Sequence, residues 1–265
     1  METTEAAIYR LTNQHEAITE SAGKLVFAPV NFSKPGLRVL DSATADGKWL
    51  VDLKESLKQD NEYIGTDITD AMYSMGGAQG IDFHIQGVRS AWPPEWRESF
   101  DYVHQRLTLT VVGRHPISDV VARECELVKP GGWIELVEVD VTKENTSPAL
   151  EKLYEAIREM FDIVGCGRNF SAGLKRVLEE AGMQDVGDEL VEVQVGPLAK
   201  TPELGAKGLK LVRLTAEGFA RIAEKMPFSS SKEDLQALVG ELHEELGSQG
   251  GTCHFCAVYG RKPAK

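Results

Sequence analysis

LRVLDSATADGKWL, residues 37–50, is the stretch whose reading decides the fold. Leu37, Arg38, Val39 and Leu40 make a short apolar run suited to a buried strand, and the run stops on Asp41. A loop of small or acidic residues follows (Ser42, Ala43, Thr44, Ala45, Asp46, Gly47), and side chains this short let an extended ligand lie against the backbone. Trp49, Leu50, Leu53 and Leu57 then recur at helical spacing, so the loop opens a helix over 47–58. In open α/β sheets, ligands lie beyond the carboxyl ends of the strands, which is where this loop stands. Asp41 also suits a second role, capping the helix that follows.

Working outward, further apolar runs read as strands at 62–66, 81–85, 100–104, 133–139, 186–195 and 252–260. Helical patterns fall between them. One begins at Ser118, taken as its N-cap, and runs to Val128, where Lys129-Pro130-Gly131-Gly132 supplies turn chemistry. Others cover 150–164 and 173–181. This alternation predicts an α/β fold, a mostly parallel sheet with helices on both faces. The long connection at 196–251 lets the last strand return antiparallel beside its predecessor. Segments 5–24, 146–164 and 204–247 fall outside the alternation and are expected to cap the sheet within a single domain spanning 1–265.

With 29 Lys and Arg against 41 Asp and Glu, the net charge of −12 argues against nucleic-acid binding, which draws on clustered cations. No apolar run approaches a membrane span and the first residues lack a signal-peptide core, so cytoplasmic residence is expected, as a monomer or homodimer. Cys253 and Cys256 stand three apart in a strand and so face opposite sides, which makes them core thiols rather than a metal clip. No metal site stands out.

Asp67 ends the second strand, 26 residues after Asp41, where an acid accepts the ribose hydroxyls of a nucleoside cofactor. The dinucleotide fingerprint G-x-G-x-x-G is absent, and an acid at the strand end repels a pyrophosphate. S-adenosylmethionine (SAM) has no phosphate and carries an ammonium and a sulfonium, which suit Asp41 and Asp46.

YRLTNQHEAI (9–18), GKLVFAPV (23–30), VLDSATADGKWL (39–50), YIGTDIT (63–69), WPPEWRESFDYVHQRL (92–107), LVKPGGWIELVE (127–138) and HFCAVYGRKP (254–263) resemble fungal class I SAM-dependent methyltransferases of secondary metabolism. Among these the chain is most similar to gliotoxin-pathway N-methyltransferases and LaeA-like proteins. The resemblance runs over nearly the whole chain. It implies a Rossmann-like, seven-stranded sheet with a helical cap, SAM as cofactor and a small-molecule methyl acceptor. It also implies that Asp41, Ser42, Ala43, Ala45 and Gly47 line the methionine end of SAM and that Asp67, with Ile68 beside it, holds the ribose. Gln86, Gly87 and Val88 flank the adenine, and His104, Gln105 and Arg106 close the end of the fourth strand. Two departures stand out: Ala43 and Ala45 replace the usual glycines, and Gln86-Gly87 replaces the usual acid beside adenine. Alanine fits such a loop where φ stays negative.

The sulfonium is already activated, so catalysis needs alignment of the acceptor and a base for its proton. His104 is the first candidate base and His15 the second; Tyr9 and Glu138 are candidate acceptor contacts. Each has a plainer alternative as a bonded structural side chain. The stripe Leu209, Val212, Leu214, Phe219 and Ile222 suits either an acceptor pocket or core packing. A SAM-binding relative that catalyses a pericyclic reaction, or that acts as a LaeA-like regulator, shares all of these features.

Overall fold

The strands set out by the sequence pattern assemble into one sheet in the computed structural model, which describes residues 3–73, 80–113, 115–145 and 147–264. Its strands are β1 (Arg38–Ser42), β2 (Glu62–Asp67), β3 (Asp82–Ile85), β4 (Phe100–Arg106), β5 (Val128–Val139), β6 (Gln184–Val195) and β7 (Gly251–Arg261), in the order β3-β2-β1-β4-β5-β7-β6. Pairing is parallel from β3 to β5, and β7 is antiparallel to both β5 and β6. The order reverses between β1 and β4, and this switch point opens the crevice in which such folds bind ligands.

Seven helices connect and cover the strands among the described residues: α1 (Thr4–Ala22), α2 (Lys48–Leu57), α3 (Ile117–Leu127), α4 (Pro148–Val164), α5 (Leu174–Glu180), α6 (Pro202–Ile222) and α7 (Lys232–Ser248). Strand alternation sorts the core into two faces. On one face Leu40, Val103, Ile134 and Val258 pack with α3 and α5. On the other, Val39 and Tyr102 pack with Trp49, Leu50 and Leu53 of α2. Farther along that second face, Val137, Val193 and Phe255 pack with α1, α4, α6 and α7. All three expected cap segments thus bury apolar surface on the antiparallel half of the sheet; residue 146, where one was to begin, lies outside the described residues.

Several local expectations change. Ser118 is inside α3, whose N-cap is Pro116, and no side chain caps that end. The helix stops at Leu127, and Lys129-Pro130-Gly131-Gly132 belongs to β5, where pairing with β4 is irregular between Phe100 and Tyr102. Segment 204–247 divides into α6 and α7, the second opened by a capping box between Ser231 and Asp234. Segment 5–24 holds a single helix, α1, which ends at Ala22 with Gly23 as its left-handed C-cap. The Cys253 thiol joins the α1–α4–α6–α7 core while Cys256 packs against the opposite one, as strand parity requires.

Candidate active site

The loop from β1 to α2 is held in a left-handed conformation that alanine disfavours. Ala43 has φ +58° and Ala45 φ +55°, so the negative φ under which alanine fits without strain is found at neither. Each costs roughly 1–2 kcal/mol relative to a right-handed residue, and the surroundings enforce both. Thr44 donates its N–H to the Thr66 carbonyl at 2.7 Å, and Ala45 donates its own to Oδ2 of Asp67 at 3.0 Å. Gly47, at φ +76°, is required by packing as well, because a Cβ there would stand 2.6 Å from the Phe83 ring.

Beyond this loop lies a cleft of about 490 Å³. On the β2 side, Asp67 takes N–H bonds from Ala45 and, through Oδ1 at 2.7 Å, from Ile68. Burial raises its pKa, the two backbone bonds opposing the shift. Ile68, Gln86, Gly87 and Val88 continue the wall. On the β4 side stand Asp41, Asp46, His104 and Arg106. Asp41 accepts from Nδ1 of His104 at 2.7 Å and from the Thr44 hydroxyl at 2.6 Å. Because Asp41 is an acceptor, Nδ1 carries a hydrogen, which makes Nε2 the lone-pair nitrogen of the neutral ring. The His104 ring stacks on Trp49 with centroids 3.8 Å apart, which fixes its plane.

His15 enters the cleft from α1, and its geometry does not suit a base. Its Nε2 donates to Asp52 at 2.8 Å, and its Nδ1 accepts from Arg106 at 2.9 Å, so no lone pair remains. Burial, reinforced by the Arg106 charge, lowers its pKa to about 4. His15 therefore stays neutral and orients Arg106. Burial lowers the guanidinium's own pKa, while Asp41 and Asp46 pull it back.

Other expected residues lie outside the cleft wall. Ser42 is buried and donates to Glu124 at 2.6 Å, and Gln105 donates to the same carboxyl oxygen at 2.7 Å. Both support the loop from beneath. Burial raises the Glu124 pKa to about 7. Tyr9 is 53% exposed on α1 under the Lys210 ammonium, away from the cleft. Glu138 is buried, and its Oε1 accepts the N–H groups of Thr108 and Leu109 at 2.9 and 2.8 Å. Residues the sequence reading passed over also line the cleft, including Arg10, Gln14, Lys48 and Thr108. The repeat of Leu11, Gln14 and Ile18 along α1 was the available signal for Gln14.

A second, apolar pocket of about 140 Å³ adjoins the cleft, the two sharing Gln14 and Leu107 as lining residues. Leu153, Ile157, Met160, Val212 and Phe219 form much of its wall, and Glu138 also lines it. Val212 and Phe219 thus serve both roles considered for the α6 stripe, since they also belong to the core.

Residues 14–187 match the family described as methyltransferase domain. The chain belongs to that family. It is a SAM-dependent methyltransferase, and the motif resemblance holds: the N-methyltransferase sirN of Leptosphaeria maculans is 35% identical, with 96% of this methyltransferase and 91% of the relative covered. The N-methyltransferase gliN of Aspergillus fumigatus is 31% identical, with 96% and 93% covered. Phosphoethanolamine N-methyltransferase 2 of Haemonchus contortus, solved with SAM, superposes at TM-score 0.54 and 16% identity over 95% of this chain and 52% of that one. The [4+2]-cyclase SpnF superposes equally well, at 0.54 and 13% identity over 97% of each chain. Likeness at that identity shows the fold alone, so the relatives in sequence carry the reading of methyl transfer over cyclisation.

The cleft of this methyltransferase fits its cofactor. Asp67 has lone pairs beyond those used by Ala45 and Ile68, and Arg106 beside Asp41 and Asp46 offers a cation and two acids to a zwitterion.

Proposed function

We propose that this methyltransferase moves the methyl group of SAM to a nitrogen of a small, largely apolar molecule, acting in the cytoplasm. The observation that carries the reading is the junction of a polar cleft with an apolar pocket at Gln14 and Leu107. Asp67 would hold the ribose hydroxyls. Arg106, oriented by His15, would take the methionine carboxylate, with Asp41 and Asp46 facing its ammonium. Ala43 and Ala45 present backbone with little side chain, and Ile68 and Gln86–Val88 would border the adenine. The nitrogen atom as target rests on the names of the relatives.

When bound, SAM supplies an electrophilic methyl carbon: the acceptor nitrogen's lone pair bonds to it, and the C–S electron pair stays on sulfur, leaving S-adenosylhomocysteine (SAH). The nitrogen, now cationic, sheds a proton, and Nε2 of His104 takes it. Asp41, bonded to Nδ1, stabilises the imidazolium that results. The rest of the work is alignment, which the apolar pocket supplies by holding the body of the acceptor.

The test is to incubate the protein with SAM and candidate apolar amines or amides, and to quantify SAH against product by mass spectrometry. Equimolar SAH and N-methylated product are expected. Turnover of the acceptor without SAH would overturn the reading. Asp67→Ala should weaken SAH binding by roughly 10- to 100-fold, the loss of charge-assisted bonds worth about 1.5–3 kcal/mol.

A further inference from the structure

We propose that Gln14 is the positioning residue for the methyl acceptor, its carboxamide oxygen accepting an N–H of the acceptor where the cleft meets the apolar pocket. This inference rests on the methyl-transfer reading of the same site.

Three consecutive residues of α1 carry the argument. Asn13 donates through Nδ2 to the Lys207 carbonyl of α6 at 3.2 Å, tying α1 to the helix that supplies Val212 and Phe219 to the pocket. His15 bonds Asp52 of α2 and Arg106 of β4, tying the same turn to the cleft. Gln14 stands between these two anchors, so its backbone is fixed from both sides. Its side chain lines both cavities, and Leu107 is the other residue to do so.

Gln14 is half-buried, and no hydrogen bond from its carboxamide is found to any described residue. Asn13 and His15 on either side of it are bonded to the protein, whereas the Gln14 carboxamide keeps a donor and an acceptor free for a ligand at the junction of the two cavities. Around it, the pocket wall is mostly apolar, with Leu153, Ile157, Met160, Val212 and Phe219 prominent and Thr110 and Thr215 among the few polar residues. Glu138 lines the pocket too: its Oε1 is occupied by two backbone N–H groups, its Oε2 has no partner among the described residues, and burial raises its pKa to about 7, so it offers no fixed counter-charge for a cation. A neutral ligand with an apolar body and one N–H directed at Gln14 meets each of these conditions. Its nitrogen would then lie on the cofactor side of the apolar pocket.

Indole and 1-methylindole test this, because they differ by the one N–H and share the apolar ring. Calorimetric titrations of the intact protein saturated with SAH would measure both. Indole is expected to bind at least about tenfold more tightly than 1-methylindole, and Gln14→Met and Gln14→Ala are expected to bind the two alike. A merely structural role for Gln14 would weaken both probes together and leave their ratio unchanged. Equal affinity in the wild type, no binding of either probe, or a preference retained in either variant would overturn the proposal. SAH binding is read separately: its failure in the wild type would sink the methyl-transfer reading, while the indole ratio measured without SAH would still decide the role of Gln14.

Discussion

Arg106 and His15 are bonded at 2.9 Å across 91 residues of sequence. The bond fixes the hydrogen on Nε2 of His15, and that N–H donates to Asp52. Lys48 also bonds Asp52. A relay from β4 through α1 to α2 thus surrounds a charge that burial alone would disfavour.

Breaking this relay should be costly. His15→Leu leaves the guanidinium without its acceptor and Asp52 without a donor, and bonds to charged groups contribute about 1.5–3 kcal/mol each. Urea denaturation at pH 7.5 should show a loss of at least about 2 kcal/mol, together with weaker SAH binding. An unchanged midpoint would refute the role assigned to His15.

His15 also sets a pH dependence. Its folded pKa, about 4, lies below its ordinary value of 6.5, so between these limits the unfolded chain takes up a proton that the folded one refuses. Stability from this group is complete above pH 6.5 and is lost as pH falls towards 4, by at most about 3 kcal/mol. The wild-type advantage over His15→Leu should shrink accordingly across that window.

Glu124 acts with the opposite sign. Its folded pKa is raised to about 7 from 4.5, so its contribution is full below pH 4.5 and is lost as pH rises through 7. Glu124→Gln keeps an oxygen for Ser42 and Gln105 but cannot ionise. Relative to wild type, the variant should gain up to about 3 kcal/mol between pH 4.5 and 8 in paired urea titrations. A constant difference over that range would count against a buried, protonated Glu124.

The alanines of the β1–α2 loop predict stabilisation. Ala43→Gly and Ala45→Gly each relieve a left-handed alanine, at the expense of a more flexible unfolded chain. A net gain of about 0.5–1 kcal/mol per site is expected from thermal or urea unfolding. Destabilisation at both would mean that the loop adopts another backbone in solution.

Gly65 predicts the reverse. A Cβ there would stand 2.8 Å from the Phe83 ring and 2.9 Å from the Thr44 methyl. Gly65→Ala should cost about 1–3 kcal/mol by overpacking and, by displacing Thr44, weaken SAH binding measured by calorimetry.

Much of this architecture was legible because its cause is local. Buried parallel strands show as apolar runs, and the strand-end acids Asp41 and Asp67 mark the crevice by position. What escaped depended on partners distant in sequence. The N-cap expected at Ser118 gave way to Pro116, which enters the helix without a side-chain cap. Alanine's intrinsic preference for negative φ is overridden by the bonds that the Thr44 and Ala45 N–H groups donate to Thr66 and Asp67, which no pattern within 42–47 encodes. Ser42 and Gln105 carry the right polarity for a cofactor contact, but strand parity turns both toward Glu124. His15 looked like a base until its two partners, from α2 and β4, were in place.

The stacking of Trp49 on His104 gives the cleft its own optical reporter. An indole in van der Waals contact with an imidazole loses emission when that ring gains a proton, so fluorescence at this tryptophan would follow the charge on His104 directly. Subtracting the spectrum of Trp49→Phe would isolate that signal from the other three tryptophans of the four in the chain. The protonation of the proposed base can thereby be watched without any knowledge of the acceptor.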